Sequence, residues 1–133
     1  MKIGRAARLA SCGAVAVLVG AGCGGSASRS KLDTACRRQS ALLKEVREPK
    51  DLATAAQALG IVVRVDRAMT AALGENSDLA ARARGAAARA SRTLSDIRQT
   101  DQRAMMSPLR TGVPGTRRAI AETRGLLGAA CPP

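Results

Sequence analysis

Residues 51–74 read DLATAAQALGIVVRVDRAMTAALG, and their pattern indicates the class of the fold. The apolar residues recur every three or four positions, which is the spacing of one face of an α-helix. Asp51 suits the N-cap of this helix, and Gly74 or Asn76 suits its C-cap. The β-branched run at residues 61–63 is typical of a strand, but helix-periodic sequence on both sides favours one continuous helix. The predicted buried face consists of Leu52, Ala55, Leu59, Val62, Val65/Asp66, Met69 and Leu73.

The same spacing predicts three further helices. The first runs from Lys31 to residue 48, because the residue before Pro49 avoids the α conformation. The third extends over residues 78–106 with Ser77 as its N-cap, and a loop follows at residues 107–115. The fourth begins within residues 114–116 and ends at Ala130. Four helices with short connections predict an all-α, up-down-up-down bundle.

The N-terminus has the pattern of an export signal. Lys2, Arg5 and Arg8 form a basic start, and residues 9–22 are uncharged with an apolar centre. That apolar run is shorter than the roughly 20 residues of a membrane span, and it fits the apolar region of a signal peptide. Three small residues then precede Cys23. This arrangement resembles the signal of a bacterial lipoprotein, and the Ala-, Arg- and Gly-rich composition is similar to that of actinobacterial proteins.

The resemblance implies how the chain is divided. Residues 1–22 would be removed, and Cys23 would carry the lipid anchor, with acyl chains such as palmitate. Residues 23–30, CGGSASRS, would form a flexible tether, and residues 31–133 the helical domain. The resemblance therefore implies that the protein is held at the extracytoplasmic face of the plasma membrane.

A second cysteine competes for the anchor position. Leu9 to Ser11 before Cys12 match the usual lipoprotein pattern better than Gly20, which stands three places before Cys23. Cys12 has almost no apolar run before it, however, so Cys23 is preferred. An ordinary secretory signal, an uncleaved N-terminal anchor and a cytosolic chain are the alternatives.

The two other cysteines are predicted to pair. Cys36 lies near the start of the first helix and Cys131 at the end of the fourth, and these ends are adjacent in an up-down-up-down bundle of four helices. In a bundle of three helices they would lie at opposite ends. Export to an oxidising compartment favours a disulfide over two free thiols. A zinc site is disfavoured because the chain has no histidine.

Composition excludes several classes of function. The chain has no His, Phe, Tyr or Trp, which removes histidine-based catalysis, imidazole metal ligands and stacking platforms. We expect no catalytic residue, no metal and no cofactor. Loss of the signal lowers the net charge from +12 to +9, because three basic residues leave with it. Export and the missing aromatics argue against a nucleic-acid partner for this basic chain.

Charged and sulfur-containing side chains give weaker indications. Four arginines of the third helix are candidates for contact with anionic lipid head groups or envelope polyanions, and a solvated helix surface is the alternative. These arginines are Arg82, Arg89, Arg92 and Arg103. Met69, Met105 and Met106 are interpreted as gap-fillers or surface residues and not as a soft-metal site. The carboxylates, Asp66 among them, are interpreted as solvated partners of nearby arginines.

The sequence therefore predicts a small, disulfide-closed helical lipoprotein with no enzymatic activity. Its expected role is that of an interaction or accessory protein of the cell envelope. Its expected partners are the membrane, through the lipid, and anionic lipids or an envelope protein. The alternative is a small carrier that binds a lipid or another apolar ligand between its helices.

Overall fold

The computed structural model contains four α-helices in chain order. They are α1 (Gly13–Lys44), α2 (Leu52–Leu73), α3 (Asp78–Asp101) and α4 (Ser107–Ala130). The structure describes the backbone of residues 13–74, 77–101 and 107–133, and the side chains of residues 28–74, 77–99 and 112–133. Within those ranges there is no strand, and the predicted all-α class is confirmed.

Helix α2 is the central element of the bundle. It packs along α3 and α4, which also pack on each other, and it carries α1 on its remaining side. Helices α1 and α4 approach closely at few positions, and α1 and α3 have no close backbone approach among the described residues. The up-down-up-down bundle is thus tight around α2, α3 and α4 and looser along α1.

Local capping explains where α2 begins and ends and where α3 begins. The Thr54 backbone N–H donates to the Asp51 carboxylate at 2.7 Å, and the Asp51 N–H donates to the Thr54 hydroxyl at 3.1 Å. This reciprocal capping box satisfies two of the free N–H groups of the first turn. The Ala80 N–H donates to the Ser77 hydroxyl at 3.3 Å. Gly74 closes α2 at a φ of +80°, a conformation that glycine adopts without strain.

The ends of α1 differ from the prediction. The helix begins at Gly13 and not at Lys31, so residues 23–30, predicted as a flexible tether, are helical. No proline interrupts residues 13–44, which leaves the helix free to continue. At its other end α1 stops at Lys44, where the Glu45 and Val46 N–H groups form a tighter turn with the carbonyls three residues earlier. The chain leaves the helix there and buries Val46 and Pro49.

The start of α4 is also a correction. Residues 107–113, predicted as loop, are helical, and Pro114 lies inside α4 and not at its first position. Pro108 is compatible with the first turn, because the N–H it lacks would have no partner within the helix. Pro114 is exposed, so its ring meets solvent instead of a packed neighbour. The predicted end of α3, residues 102–106, lies outside the described residues together with Met105 and Met106.

The core is built from small and aliphatic side chains. Leu59, Met69 and Leu126 are the largest fully buried apolar residues, so Met69 fills core space as predicted. Alanines of α2 and α3 are buried between the helices, where a short side chain lets two helix backbones come close. These alanines are Ala55, Ala58, Ala80, Ala83, Ala86, Ala87 and Ala90.

A disulfide joins the first helix to the end of the last. Cys36 and Cys131 are paired, with Cα atoms 5.7 Å apart, and Cys36 is buried. This confirms the predicted pairing. The link holds α1 against α4, a helix it otherwise touches little.

We predict that the Cys36→Ser/Cys131→Ser double variant loses on the order of 4–5 kcal/mol of unfolding free energy. The disulfide closes a loop across 95 residues, and its removal restores the entropy of that loop to the unfolded chain. Urea denaturation followed by far-UV circular dichroism measures the change. Reduced wild-type protein should match the double variant, and a double variant as stable as the oxidised wild type would contradict the prediction.

A second prediction concerns the closest approach of α4 to its neighbours. A Cβ at Gly112 would lie 3.0 Å from Leu52 Cδ2 and 3.1 Å from Ile97 Cγ1, whereas a Cβ at Gly125 would have no neighbour within 4 Å. Overpacking costs about 1–3 kcal/mol, and alanine gains about 1 kcal/mol over glycine in a helix. The unfolding free energy of Gly125→Ala should therefore exceed that of Gly112→Ala by at least about 1 kcal/mol, as measured by thermal denaturation. Equal stabilities would show that the α4 contact is loose.

Candidate functional site

Cys23 lies in α1, nine positions before Leu32. Its backbone is helical, and its side chain is outside the described residues. Leu32 is the first apolar side chain of α1, among those described, that packs against the core. The nine steps along the chain from Cys23 to Leu32 span about 14 Å as a helix, less than half of their extended reach. The predicted attachment point is thus close to the folded domain.

The four candidate arginines of α3 do not form one uniform surface. Arg89 makes an ion pair with Glu122 of α4, so its charge is partly neutralised. Arg82 and Arg92 are exposed and have no ion pair with any described residue. Arg103 lies outside the described residues. Of the four candidates, Arg82 and Arg92 therefore remain as exposed arginines without an ion pair to a described residue.

A buried carboxylate lies between α2 and α4. Asp66 of α2 is fully buried, and the Thr123 hydroxyl of α4 lies 3.0 Å from both of its oxygens. Thr123 is itself fully buried and donates its one proton to this carboxylate. Glu122 is the residue before Thr123 and makes an ion pair with Arg89. The charges of both residues act on the pKa of the Asp66 carboxylate.

Burial raises the pKa of Asp66 to about 6 from its ordinary value of 3.8, because the charged form loses its hydration. The hydrogen bond from Thr123 and the charge of Arg89 oppose this rise, and the charge of Glu122 adds to it. The interpretation of Asp66 as a solvated partner of arginine is therefore wrong. Its position on the predicted apolar face, together with Thr123 on the inward face of α4, was the available signal.

An open groove runs between α1 and α4. Two adjoining cavities occupy it, and Arg124 contributes to the lining of both. The Cys131 cavity, of about 370 Å³, lies between Leu43 of α1 and Leu127 of α4. The Arg117 cavity, of about 400 Å³, lies between the segment at residues 46–49 and α4. The groove exists because α1 and α4 separate beyond their few close contacts.

A third cavity lies between α2 and α3 on another face. It has a volume of about 290 Å³ and is lined by Arg67, Arg84, two hydroxyl-bearing residues and two alanines. One of the hydroxyls, that of Thr70, already donates to the Asp66 carbonyl oxygen at 2.8 Å. This cavity therefore combines two guanidinium groups with a lining that is mainly apolar.

Among the described side chains, no three cysteine or carboxylate groups lie close enough together to hold a metal ion. In the described part of the chain, none of the helices combines the length and the apolar character that a membrane crossing requires. Comparison with protein families, with curated proteins and with solved structures finds no match to this chain.

We predict that wild-type stability falls by on the order of 2 kcal/mol between pH 4 and pH 7 through Asp66. Its pKa is higher in the folded than in the unfolded state, so its contribution is complete below 3.8 and is lost as the pH rises through about 6. Asp66→Asn keeps the shape without the charge and should be more stable than wild type at pH 7. Urea denaturation across this pH range measures the difference.

The control for this variant is Asp33→Asn, because Asp33 is exposed on α1. The Asp33→Asn variant should show the same dependence of stability on pH as the wild type. An Asp66→Asn profile that runs parallel to the wild-type profile would show that Asp66 ionises at its ordinary pKa in the folded protein.

Proposed function

We propose that this protein is an exported lipoprotein, attached through Cys23 to the extracytoplasmic face of the plasma membrane. Its helical domain acts there as a non-enzymatic interaction or accessory protein of the cell envelope. The lipid holds the domain at the bilayer surface, and the exposed side chains of the bundle make the contacts that constitute its role.

The arrangement of the cysteines carries the proposal. Cys36 and Cys131 pair within the bundle, as expected for a domain that folds in an oxidising compartment. This pairing does not involve Cys23. Cys23 follows a basic start and an apolar run, and it precedes Leu32, a residue of α1 that packs against the core. A cysteine in that position is the one that a lipoprotein signal requires.

The charged surface supports contact with anionic partners. Arg82 and Arg92 are exposed on α3 and have no ion pair among the described residues. A basic residue near an anionic membrane surface contributes about 1 kcal/mol of attraction. An acyl anchor adds to such weak attraction, because stable membrane binding generally needs two signals. The protein would thus combine lipid attachment with a basic surface directed at anionic lipids or an envelope protein.

The side-chain inventory supports a non-enzymatic role. The chain has no histidine, and the buried carboxylate of Asp66 is held by Thr123 and does not line any of the three cavities described above. General acid–base work requires a group that can reach a substrate proton. Asp66 in this position cannot do so.

We predict that Cys23→Ala abolishes membrane attachment. Cells fed a radiolabelled fatty acid should label the wild-type chain and not the variant, because the sulfur of Cys23 receives the lipid. Fractionation should then find the variant outside the membrane pellet. In the same cells, cross-linking should join the wild-type protein to an envelope component and lose that adduct in the variant.

The matched control is Cys12→Ala, which alters the competing cysteine. It should retain both the label and the membrane attachment, because Cys12 would leave with the signal. Loss of label in Cys12→Ala but not in Cys23→Ala would move the anchor to Cys12. Label in both single variants would contradict Cys23 as the sole site of lipidation.

A further inference from the structure

The groove between α1 and α4 has two chemically different ends. At one end, the lining of the Cys131 cavity includes the apolar residues Leu43, Leu127 and Pro132, together with Gly128 and the polar residues Ser40, Lys44 and Arg124. Gly128 contributes no side chain, and a Cβ built there would have no neighbour within 4 Å. This end offers open space between aliphatic walls.

The other end is cationic. The Arg117 cavity is lined by Arg47, Arg117 and Arg124 over a floor that includes Ile120. Its one acid, Glu48, lies 3.2 Å from Arg117 and makes an ion pair with it. Arg47 and Arg124 have no ion pair with a described residue. Two guanidinium groups therefore face the cavity without a neutralising carboxylate.

Arg124 connects the two ends, because it lines both cavities. From Arg117 to Cys131 the chain advances by 14 positions, or about 21 Å at the rise of a helix. The groove is thus long, with three arginines at one end and with leucine and proline side chains beside Lys44 at the other. The volumes of its cavities fall in the range of small-molecule sites, which is about 300–1,000 Å³.

We propose that this groove binds a single-chain anionic amphiphile of the fatty-acid class. Its carboxylate lies in the Arg117 cavity against Arg47 and Arg124, and its chain extends through the Cys131 cavity between Leu43 and Leu127. Guanidinium groups bind carboxylates through paired, charge-assisted hydrogen bonds. The inference goes beyond attachment and stands whether or not Cys23 carries a lipid.

The volumes of the two cavities favour a single chain over a helix of a partner protein. A helix with its side chains is about 10 Å across, too wide to enter cavities of this size. A thin chain can instead enter the gap and touch both walls.

A fluorescent fatty acid tests the proposal directly. Parinaric acid fluoresces when it leaves water for an apolar site, and a chain without Trp, Tyr or Phe gives no overlapping emission. The full chain is used as its Cys23→Ala variant, so that no attached lipid competes. The acid should bind saturably, and its uncharged methyl ester should bind about tenfold more weakly.

Two leucine substitutions at open glycines locate the bound chain. Gly128→Leu fills the Cys131 cavity and should weaken binding by about tenfold or more. Gly125→Leu is the control, because Gly125 is on the same helix, has equally open space and does not line the groove. It should bind as the parent does, and circular dichroism should find both variants folded.

Two charge substitutions locate the carboxylate. Arg124→Gln should weaken binding of the acid by about tenfold and leave the ester nearly unchanged. Glu48→Gln should strengthen binding of the acid, because it removes the one carboxylate in the Arg117 cavity. These opposite effects are expected only where the head group lies in that cavity.

Several outcomes would overturn the proposal. They are no saturable binding, equal binding of acid and ester, and the same effect from Gly128→Leu and Gly125→Leu. An acidic amphipathic peptide that binds in a Gly128-dependent manner, where the fatty acid does not, would assign the groove to a protein partner instead. Failure here would leave the anchor untouched, since that is tested by fatty-acid labelling at Cys23.

Discussion

The disulfide between Cys36 and Cys131 is the constraint on which the position of α1 depends. Helix α1 packs mainly on α2 and meets α4 at few positions, so noncovalent contacts hold it on one side. The covalent link supplies the second attachment by removing the entropy of a long loop from the unfolded chain. Because the link acts at one point, the rest of α1 and the segment after it can stand away from α4. The groove between them is a consequence of this single attachment.

The composition of the core explains why one covalent link matters so much. Hydrophobic stabilisation scales with the apolar area removed from water, and this core has no aromatic side chain and many buried alanines. Asp66 adds a further cost at neutral pH, since its carboxylate is fully buried and its pKa is raised. The hydroxyl of Thr123 offsets only part of that cost, because it brings one proton and no charge. A small domain with such a core depends on additional stabilisation.

The sequence predicted the features whose signals are local, together with the one long-range pair that topology constrains. Asp51, Ser77 and Gly74 are capping residues at their expected positions, and the cysteine pairing follows from the number of helices. The start of α4 was missed because a proline suits a first turn at one position and disfavours an interior turn at another. The burial of Asp66 was not predicted, because a charged side chain normally stays in water even when its position falls on the apolar face of a helix. Its partner lies 57 residues away, beyond any local pattern.

The proposed anchor and the proposed groove have compatible orientations. Along α1, Cys23 comes before Cys36, and Cys36 is bonded to a lining residue of the Cys131 cavity. The Arg117 cavity lies against residues 46–49, at the far end of the packed part of α1. With Cys23 at the membrane surface, the aliphatic end of the groove therefore lies nearer the bilayer and the cationic end farther from it. An amphiphile leaving the outer leaflet head first would enter in that orientation, with its carboxylate drawn to Arg47 and Arg124 while its chain stays on apolar surface. The same attachment that confines the domain to the membrane would thus place the groove where such ligands are most concentrated.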